Sequence, residues 1–582
     1  MGLRVKKADL QKHAVQITFS SLCAKQNARL KRLWMGLLNT SLGGFEPSWC
    51  TKPCRCTFLV SFAGLGELGL GYAQVHSGTV WGVKTPAVTV EVHLANGLPQ
   101  FLLVGLADTE VREARERVRS AILNSGLAFP STQRIIVNLA PADLPKDSGR
   151  FDLPIAVGIL AASGQLDAQE VRRYVFAGEL SLSGALRPLR GALAMVLGQA
   201  EPHSGLAWVL PAQSAEEAAL WPQAQVYRAC HLRDVAQALA TSETPPNPPT
   251  EGWVRLQAGL PLGLAEQGMS LDLASVRAQA GPKRALEIAA AGGHSLLMKG
   301  PPGSGKSMLA QRLPGLMPRM TASQALASAA LISLAGQFDP ARWGQRPFRA
   351  PHHSATMAAL VGGGSPPRPG EISLAHHGLL FLDELPEFSR TALEALREPL
   401  ENGRITLSRA RHQTEFPAQC QLVAAMNPCP CGYLGSTQPT CRCTPEQVMR
   451  YQGRLSGPWL DRMDMQVWVP TLSPAQLLEA PDGESSATVQ ARCEAAHARA
   501  IDRRGVANHG LTAAQLQTLT LEPSAQQWLQ QQAHRHAWSA RGIHRVMRVA
   551  QTIADLAQSD AITHAHMAQA MHFRMPIARE SG

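Results

Sequence analysis

From residue 88 to 94 apolar and polar residues alternate, Val-Thr-Val-Glu-Val-His-Leu, a period of two that predicts a half-buried strand. A turn signal at Asn96-Gly97 and a second apolar run at 101–104 extend this prediction to a β-hairpin. The period then becomes helical from about residue 108 to 124, with Val111, Ala114, Val118, Ala121 and Ile122 on one stripe and mixed charges opposite. A strand follows at 134–139 and an apolar helix after Pro154. Before Gly69 no period is sustained.

The second half repeats the exercise with shorter, more apolar strands. Ser295-Leu296-Leu297-Met298 reads as a buried strand, and Met308 to Leu313 has helical spacing. Residues 276–291 read as a helix with Pro282 as a kink or restart. Leu379-Leu380-Phe381-Leu382 and the run 421–426 are further apolar strands, and 403–416 reads as a hairpin with cations at its tip. Thr244-Pro245-Pro246-Asn247-Pro248-Pro249 reads as a semi-rigid linker.

Composition sets the scale. A chain of 582 residues, 45% of them hydrophobic, is too long for one core and suits two or three globular domains. No run approaches the roughly 18 apolar residues of a membrane span, and the start lacks an apolar signal core, so a cytoplasmic protein with no membrane partner is expected. The net charge of +11 divides unevenly: residues 1–67 hold ten Lys/Arg and three Asp/Glu, hence +7, and the remainder carries +4. Global charge therefore says little about partners.

Chemistry concentrates in the second half. Gly300-Pro301-Pro302-Gly303-Ser304-Gly305-Lys306-Ser307 fits the phosphate-binding loop, in the strand-loop-helix context that loop requires. Its backbone N–H groups and helix N-terminus face the anion, Lys306 adds charge, and Ser307 offers a hydroxyl to Mg²⁺. Asp383 and Glu384 end an apolar strand; Asp383 would share the Mg²⁺, and Glu384 would orient the attacking water. ATP and Mg²⁺ are thus the expected cofactors.

Eleven cysteines in so long a chain argue against a disulfide scaffold. Cys429, Cys431, Cys441 and Cys443 form two Cys-x-Cys pairs around a polar loop; tetrahedral Zn²⁺ and four reduced structural thiols are both open readings. Cys50, Cys54 and Cys56 are a weaker group. The Gly362-Gly363-Gly364 loop with His352, His353, His376 and His377 reads as a polar insert rather than a second metal site.

Taken with 88–96, Pro145-Lys146-Asp147-Ser148-Gly149-Arg150-Phe151-Asp152-Leu153-Pro154, Arg349-Ala350-Pro351-His352-His353-Ser354 and Asn427-Pro428-Cys429-Pro430-Cys431-Gly432, the phosphate loop resembles the ComM/YifB family of magnesium-chelatase-like AAA+ ATPases. The resemblance implies an α/β chain: a basic extension of uncertain status at 1–68, a Lon-protease-like α/β domain at 69–238, and a linker at 239–254. An AAA+ core with a parallel sheet at 255–475 and a helical lid at 476–582 complete it. Alignment to the Lon Ser-Lys dyad puts Arg150 and Leu193 at the serine and lysine positions, and neither can do that chemistry; Ser148 could substitute for the serine, but no lysine falls at the matching position.

The same resemblance makes Asn427 the polar sensor, Arg462 the finger inserted into a neighbour's site with Arg454 in reserve, and Arg541 the second sensor. It places Lys283, Arg284 and Glu287 near the adenine. A finger implies a homo-oligomeric ring, a hexamer by resemblance. Arg409, Arg411 and His412 match a pore hairpin that follows single-stranded or branched DNA; a solvated basic turn is the alternative. The implied function is a branch-migration helicase supporting recombination in natural transformation. A chelatase-type remodeller of a protein partner is the runner-up, on the ground that chelatase motors lack the Lon-like domain, and an ATP-dependent protease comes third.

Overall fold

The computed structural model describes residues 71–582, apart from 106–108, 143, 145, 147–148, 200–204, 241–251, 258, 260–270, 365–366, 410–411, 437–439, 474–475, 477, 480 and 575–582, together with three strands nearer the start. Met1–Gly71 forms one unit and Tyr72–Gly582 another. In the first, Ala14–Thr18 lies between Arg4–Val5 and Thr57–Ser61 in an antiparallel sheet that periodicity does not predict. Its β-branched Val15, Ile17 and Thr18 favour extended backbone all the same. Cys50, Cys54 and Cys56 lie outside the described residues.

The second unit contains a mixed sheet. Its strands run in the order Trp253–Leu256, Val226–Ala229, Ala207–Pro211, Tyr174–Phe176, Tyr72–Gly78, Ala87–Ala95, Arg134–Ala140 and Gln100–Val104. The predicted hairpin does not form. Arg134–Ala140 sits between its two strands, antiparallel to Ala87–Ala95 and parallel to Gln100–Val104. The turn around Gly97 carries the chain past one strand position: four residues reach about 13 Å, and two strand spacings need about 10 Å. The helix Thr109–Asn124 supplies the crossover that a parallel pair requires, burying Ala114, Val118, Ala121 and Ile122.

Trp253 and Val254, expected in the linker, belong to the edge strand. Trp253 packs with Tyr174 and Tyr227 at ring separations of 5.7 and 5.2 Å, apolar burial that a solvated linker would forgo. The helix Asp152–Ala162 is buried along its whole length, as expected of a helix apolar on every side. Leu193 is fully buried with Leu220, Met320, Ala325, Ala329 and Trp343, joining the helix Ala192–Leu197 to Ala322–Leu334 of the next layer. Burial of that kind stabilises by roughly 1.5–3 kcal/mol per large side chain. Arg150 is buried with a guanidinium nitrogen 3.7 Å from the Met195 sulfur, and Ser148 lies outside the described residues.

A second sheet has five parallel strands in the order Phe348–Arg349, Leu379–Leu382, Gln421–Met426, Leu296–Lys299 and Met465–Trp468. Leu379–Leu382 and Gln421–Met426 are buried throughout, which explains their unbroken apolar runs. Their carboxyl ends bring the phosphate loop, Asp383-Glu384 and Asn427 to one edge. The helix expected over 276–291 begins at Ala280, with Pro282 in its first turn. Proline's fixed φ and missing N–H suit that turn, so Pro282 marks the start and not a kink. Helices Ser486–Arg504 and Ala540–Leu556 pack on the helix Ala280–Gly292 and share one hydrophobic core with Leu296 and Met298 of the phosphate-loop strand. Among the described residues no helix is long and apolar enough to cross a membrane.

Candidate functional site

The loop Gly300–Ser307 leaves Leu296–Lys299 and enters the helix Lys306–Arg312, whose N-cap Gly305 has φ +92°. That left-handed turn is open to glycine at little cost, and it exposes the helix N-terminus to the space beside the loop. The Lys306 ammonium donates to the carbonyls of Gly300 and Pro301, both at 2.8 Å, and to Asn427 Oδ1 at 3.2 Å. Burial lowers its pKa, and the charges of Asp383 and Glu384 counter that shift. Gln279, which sequence reasoning missed, donates to the Ser304 carbonyl at 3.3 Å and to that of Pro470 at 2.9 Å.

Ser307 Oγ donates to Asp383 Oδ2 at 2.6 Å, so a hydroxyl and a carboxylate meet as two hard oxygen donors, the set that Mg²⁺ prefers. Glu384 sits at φ +52°, an unusual conformation for a side chain of its size. Its Oε2 lies 3.0 Å from His353 Nδ1. Sequence reasoning left His353 among ordinary polar histidines; its place in the Arg349 to Ser354 segment was visible, but not its contact with a residue that follows the neighbouring strand of the sheet.

The arginines are less concentrated. Arg462 donates to the Pro458 carbonyl at 2.7 Å and pairs with Glu401. Arg454 pairs with Glu387 at 2.7 Å, three residues past Glu384. Arg541 stands exposed in the first turn of Ala540–Leu556. Arg284 and Arg492 both bind Glu287, at 2.7 Å each, which ties that carboxylate to the helix Ser486–Arg504.

Cys429, Cys431, Cys441 and Cys443 converge, all four sulfurs lying within 4.8 Å of one another. The hairpin is present: Arg404–Arg409 pairs antiparallel with His412–Pro417, and the backbones of Arg409 and His412 are opposite each other. Arg411 lies outside the described residues, as do the side chains of Arg409 and His412. A Cβ on Gly82 would meet Thr414 Cγ2 at 2.4 Å, and one on Gly362 would lie 3.4 Å from Leu407 Cδ1. The first sheet's Gly82 turn and the Gly362 insert thus both touch the hairpin.

His376 and His377 are structural. Burial, with the neighbouring His377, pushes His376 down to about 3; burial, with the Arg346 charge, pushes His377 down to about 4. His376 Nδ1 accepts the Gln419 N–H at 3.1 Å. The folded chain holds both neutral where the unfolded chain, with histidine near 6.5, binds protons. Stability is therefore full above about pH 6.5 and falls as pH drops toward about 4, on the order of 1 kcal/mol per histidine by pH 5.5. Urea melts at pH 7.5 and 5.5 should show this loss, and His376→Asn should reduce it; an unchanged slope in the variant would assign the loss elsewhere.

Comparison with known proteins fits this geometry. The family described as magnesium chelatase, subunit ChlI, matches residues 272–477; subunit ChlI of Mg-chelatase matches 90–214, and its C-terminal family matches 483–574. An uncharacterized protein YifB of Salmonella typhimurium is 46% identical over 509 residues, 87% of this chain and 97% of the relative. Competence protein ComM of Haemophilus influenzae is 45% identical over 512 residues, 87% and 98%. An uncharacterized protein of Mycobacterium tuberculosis is 38% identical over 522 residues, 88% and 100%. Identity of that extent, over an α/β chain whose parallel sheet carries a phosphate loop, means that the chain belongs to the ComM/YifB family of magnesium-chelatase-like AAA+ ATPases.

Proposed function

We propose that this chain is an ATP-driven, ring-forming DNA motor that moves branch points during recombination of incoming DNA. The observation that carries the reading is the braced hairpin 404–417, which lies in the chain between the strand leading to Asp383-Glu384 and the strand leading to Asn427, after the short helices Arg390–Ala395 and Arg397–Asn402. The name of the Haemophilus influenzae relative, a competence protein, agrees with a role in DNA uptake.

In this reading Lys306 and the loop N–H groups hold the triphosphate, and Ser307 and Asp383 hold Mg²⁺, which supplies positive charge to the developing phosphate charge. Glu384 accepts a proton from the attacking water, and His353 holds the Glu384 carboxylate in place. Asn427 is the sensor, Arg541 the second sensor and Arg462 the finger. The residues from 72 to 256 form the Lon-like part without a peptidase dyad, 253–256 closing its sheet; the thiol cluster holds Zn²⁺.

A second reading is a chelatase-type motor that reshapes a protein partner, favoured by the chelatase descriptions of all three matched families. Because one of those matches covers 90–214, the first sheet does not separate the two readings. DNA does. Wild type with ATP should move a four-way or forked junction, and its binding should weaken with salt. Arg409→Ala/Arg411→Ala should bind more weakly and lower the salt slope by about 1.5, two phosphate contacts' worth on single strands. If wild type neither binds DNA at low salt nor moves a branch point, or if the double variant equals it in both, the DNA reading falls and a protein partner takes its place.

A further inference from the structure

The thiol cluster touches the phosphate loop. Cys429 follows the sensor Asn427 by two residues, and the Gly432 N–H closes the turn on the Cys429 carbonyl at 2.9 Å. Gly432 has φ +86°, and a Cβ there would lie 2.6 Å from both Cγ and Cδ of Pro302. Pro302 is a residue of the phosphate loop. On the other flank, a Cβ on Gly435 would lie 3.5 Å from the Trp468 ring, at the end of the strand beside Leu296–Lys299. Gln452 donates to the Pro428 carbonyl at 2.9 Å and fixes the entry to the knuckle. The knuckle is therefore wedged between the loop that holds phosphate and the strand next to it.

The sulfurs have the spacing of a metal site. Cys429 to Cys431 is 3.4 Å, and Cys441 lies 3.6 Å from each of them. A tetrahedral tetrathiolate with metal–sulfur bonds of about 2.3 Å has sulfurs about 3.8 Å apart. The Leu434 N–H points at Cys429 Sγ at 3.3 Å, the backbone donor that a thiolate ligand uses to spread its charge. Soft thiolates in this number select zinc over the hard cation expected at Ser307 and Asp383.

We propose that Zn²⁺ on these four thiolates locks the knuckle against Pro302, so that zinc occupancy sets the affinity of the phosphate loop for nucleoside triphosphate. Loading is ligand exchange without electron transfer: four S–H groups release their protons to solvent as four Zn–S bonds form. An empty knuckle lacks the four Zn–S bonds that would join its two Cys-x-Cys arms. Pro302 then loses its outer wall, and Asn427, two residues from the first ligand, loses its fixed position against Lys306. The inference rests on the reading of Gly300 to Ser307 as an ATP site.

The test measures metal and nucleotide separately. Full-length protein purified without added metal should carry about one zinc per chain by elemental analysis. Stripping with a chelator, then restoring Mg²⁺, should weaken binding of a fluorescent ATP analogue by about tenfold or more, and zinc should restore it. Gly432→Ala keeps all four ligands but pushes on Pro302, so it should retain zinc and still lose nucleotide affinity. Equal affinity in stripped and loaded protein of unchanged circular dichroism overturns the proposal, as does a zinc content near zero. Should stripping unfold the chain, Gly432→Ala decides: full zinc with wild-type nucleotide affinity overturns it. Loaded wild type that binds no nucleotide overturns the ATP reading, and this proposal with it.

Discussion

Lys306→Ala is expected to abolish nucleotide binding and turnover, whereas Glu384→Gln keeps binding and slows turnover by about 10² to 10⁴-fold. The two changes differ because the side chains act at different stages. Lys306 is buried and already directs its protons at Gly300 and Pro301 carbonyls and Asn427, the positions from which an ammonium reaches a phosphate of the loop. Each charge-assisted hydrogen bond it makes is worth about 1.5–3 kcal/mol, so two of them account for a hundredfold or more in affinity. Glu384 is half exposed, and its carboxylate is held by His353. Gln there preserves size and loses the basic oxygen, which removes proton acceptance and leaves the ground-state complex intact. Titration with a fluorescent nucleotide and measurement of phosphate release separate the two effects. Hydrolysis at the wild-type rate in both variants would show that the catalytic site is elsewhere.

The parts of this site that could be read from sequence are those fixed by local rules. An apolar run, a glycine loop and a helical run occupy neighbouring positions in the chain, and the strand Leu296–Lys299 and helix Lys306–Arg312 follow them closely. The same holds for Asp383-Glu384 and Asn427, each at the end of a fully buried strand. The failures come from pairing at a distance. Asn96-Gly97 is a local turn signal, and nothing local says that Arg134–Ala140 will enter between the strands it separates. His353 and Glu384 meet because Phe348–Arg349 and Leu379–Leu382 are adjacent in the sheet, an order that periodicity does not contain. The cysteine pairs were visible as spacing, but the contact of Gly432 with Pro302 depends on Gln421–Met426 lying beside Leu296–Lys299. Pro282 was ambiguous for a different reason: one residue type suits a helix start and a helix kink, and only the position of the first turn decides.

Arg462→Ala subunits mixed with Lys306→Ala subunits are expected to regain turnover that neither has alone. The first kind keeps an intact loop and lacks the finger; the second keeps the finger and lacks the loop, so a mixed interface completes one site. Arg462 alone should cost about 10³-fold in turnover with nucleotide affinity unchanged. Its surroundings suit such a role. The segment around it is anchored within the chain: Asp464 accepts from Ser295 N and Oγ at 3.1 and 3.0 Å, and Arg574 and Arg545 both donate to the Met463 carbonyl. Burial alone would raise the Asp464 carboxyl, but His294, Arg545 and the Ser295 N–H hold it well below the usual carboxylate range, so the anchor stays charged. Arg462 itself is held by the Pro458 carbonyl and by Glu401, whose side chain is 50% exposed. An ion pair with one partner that open to solvent contributes about 0–1 kcal/mol, whereas a thousandfold in rate corresponds to about 4 kcal/mol, so in the proposed ring the transition state at a neighbour's site is expected to draw the guanidinium away from Glu401. Arg454 is the weaker candidate because its partner Glu387 belongs to the turn that follows its own chain's Glu384. Failure to recover at any mixing ratio, in rings shown to contain both variants, would place Arg462 outside the neighbour's site and return it to a surface pair with Glu401.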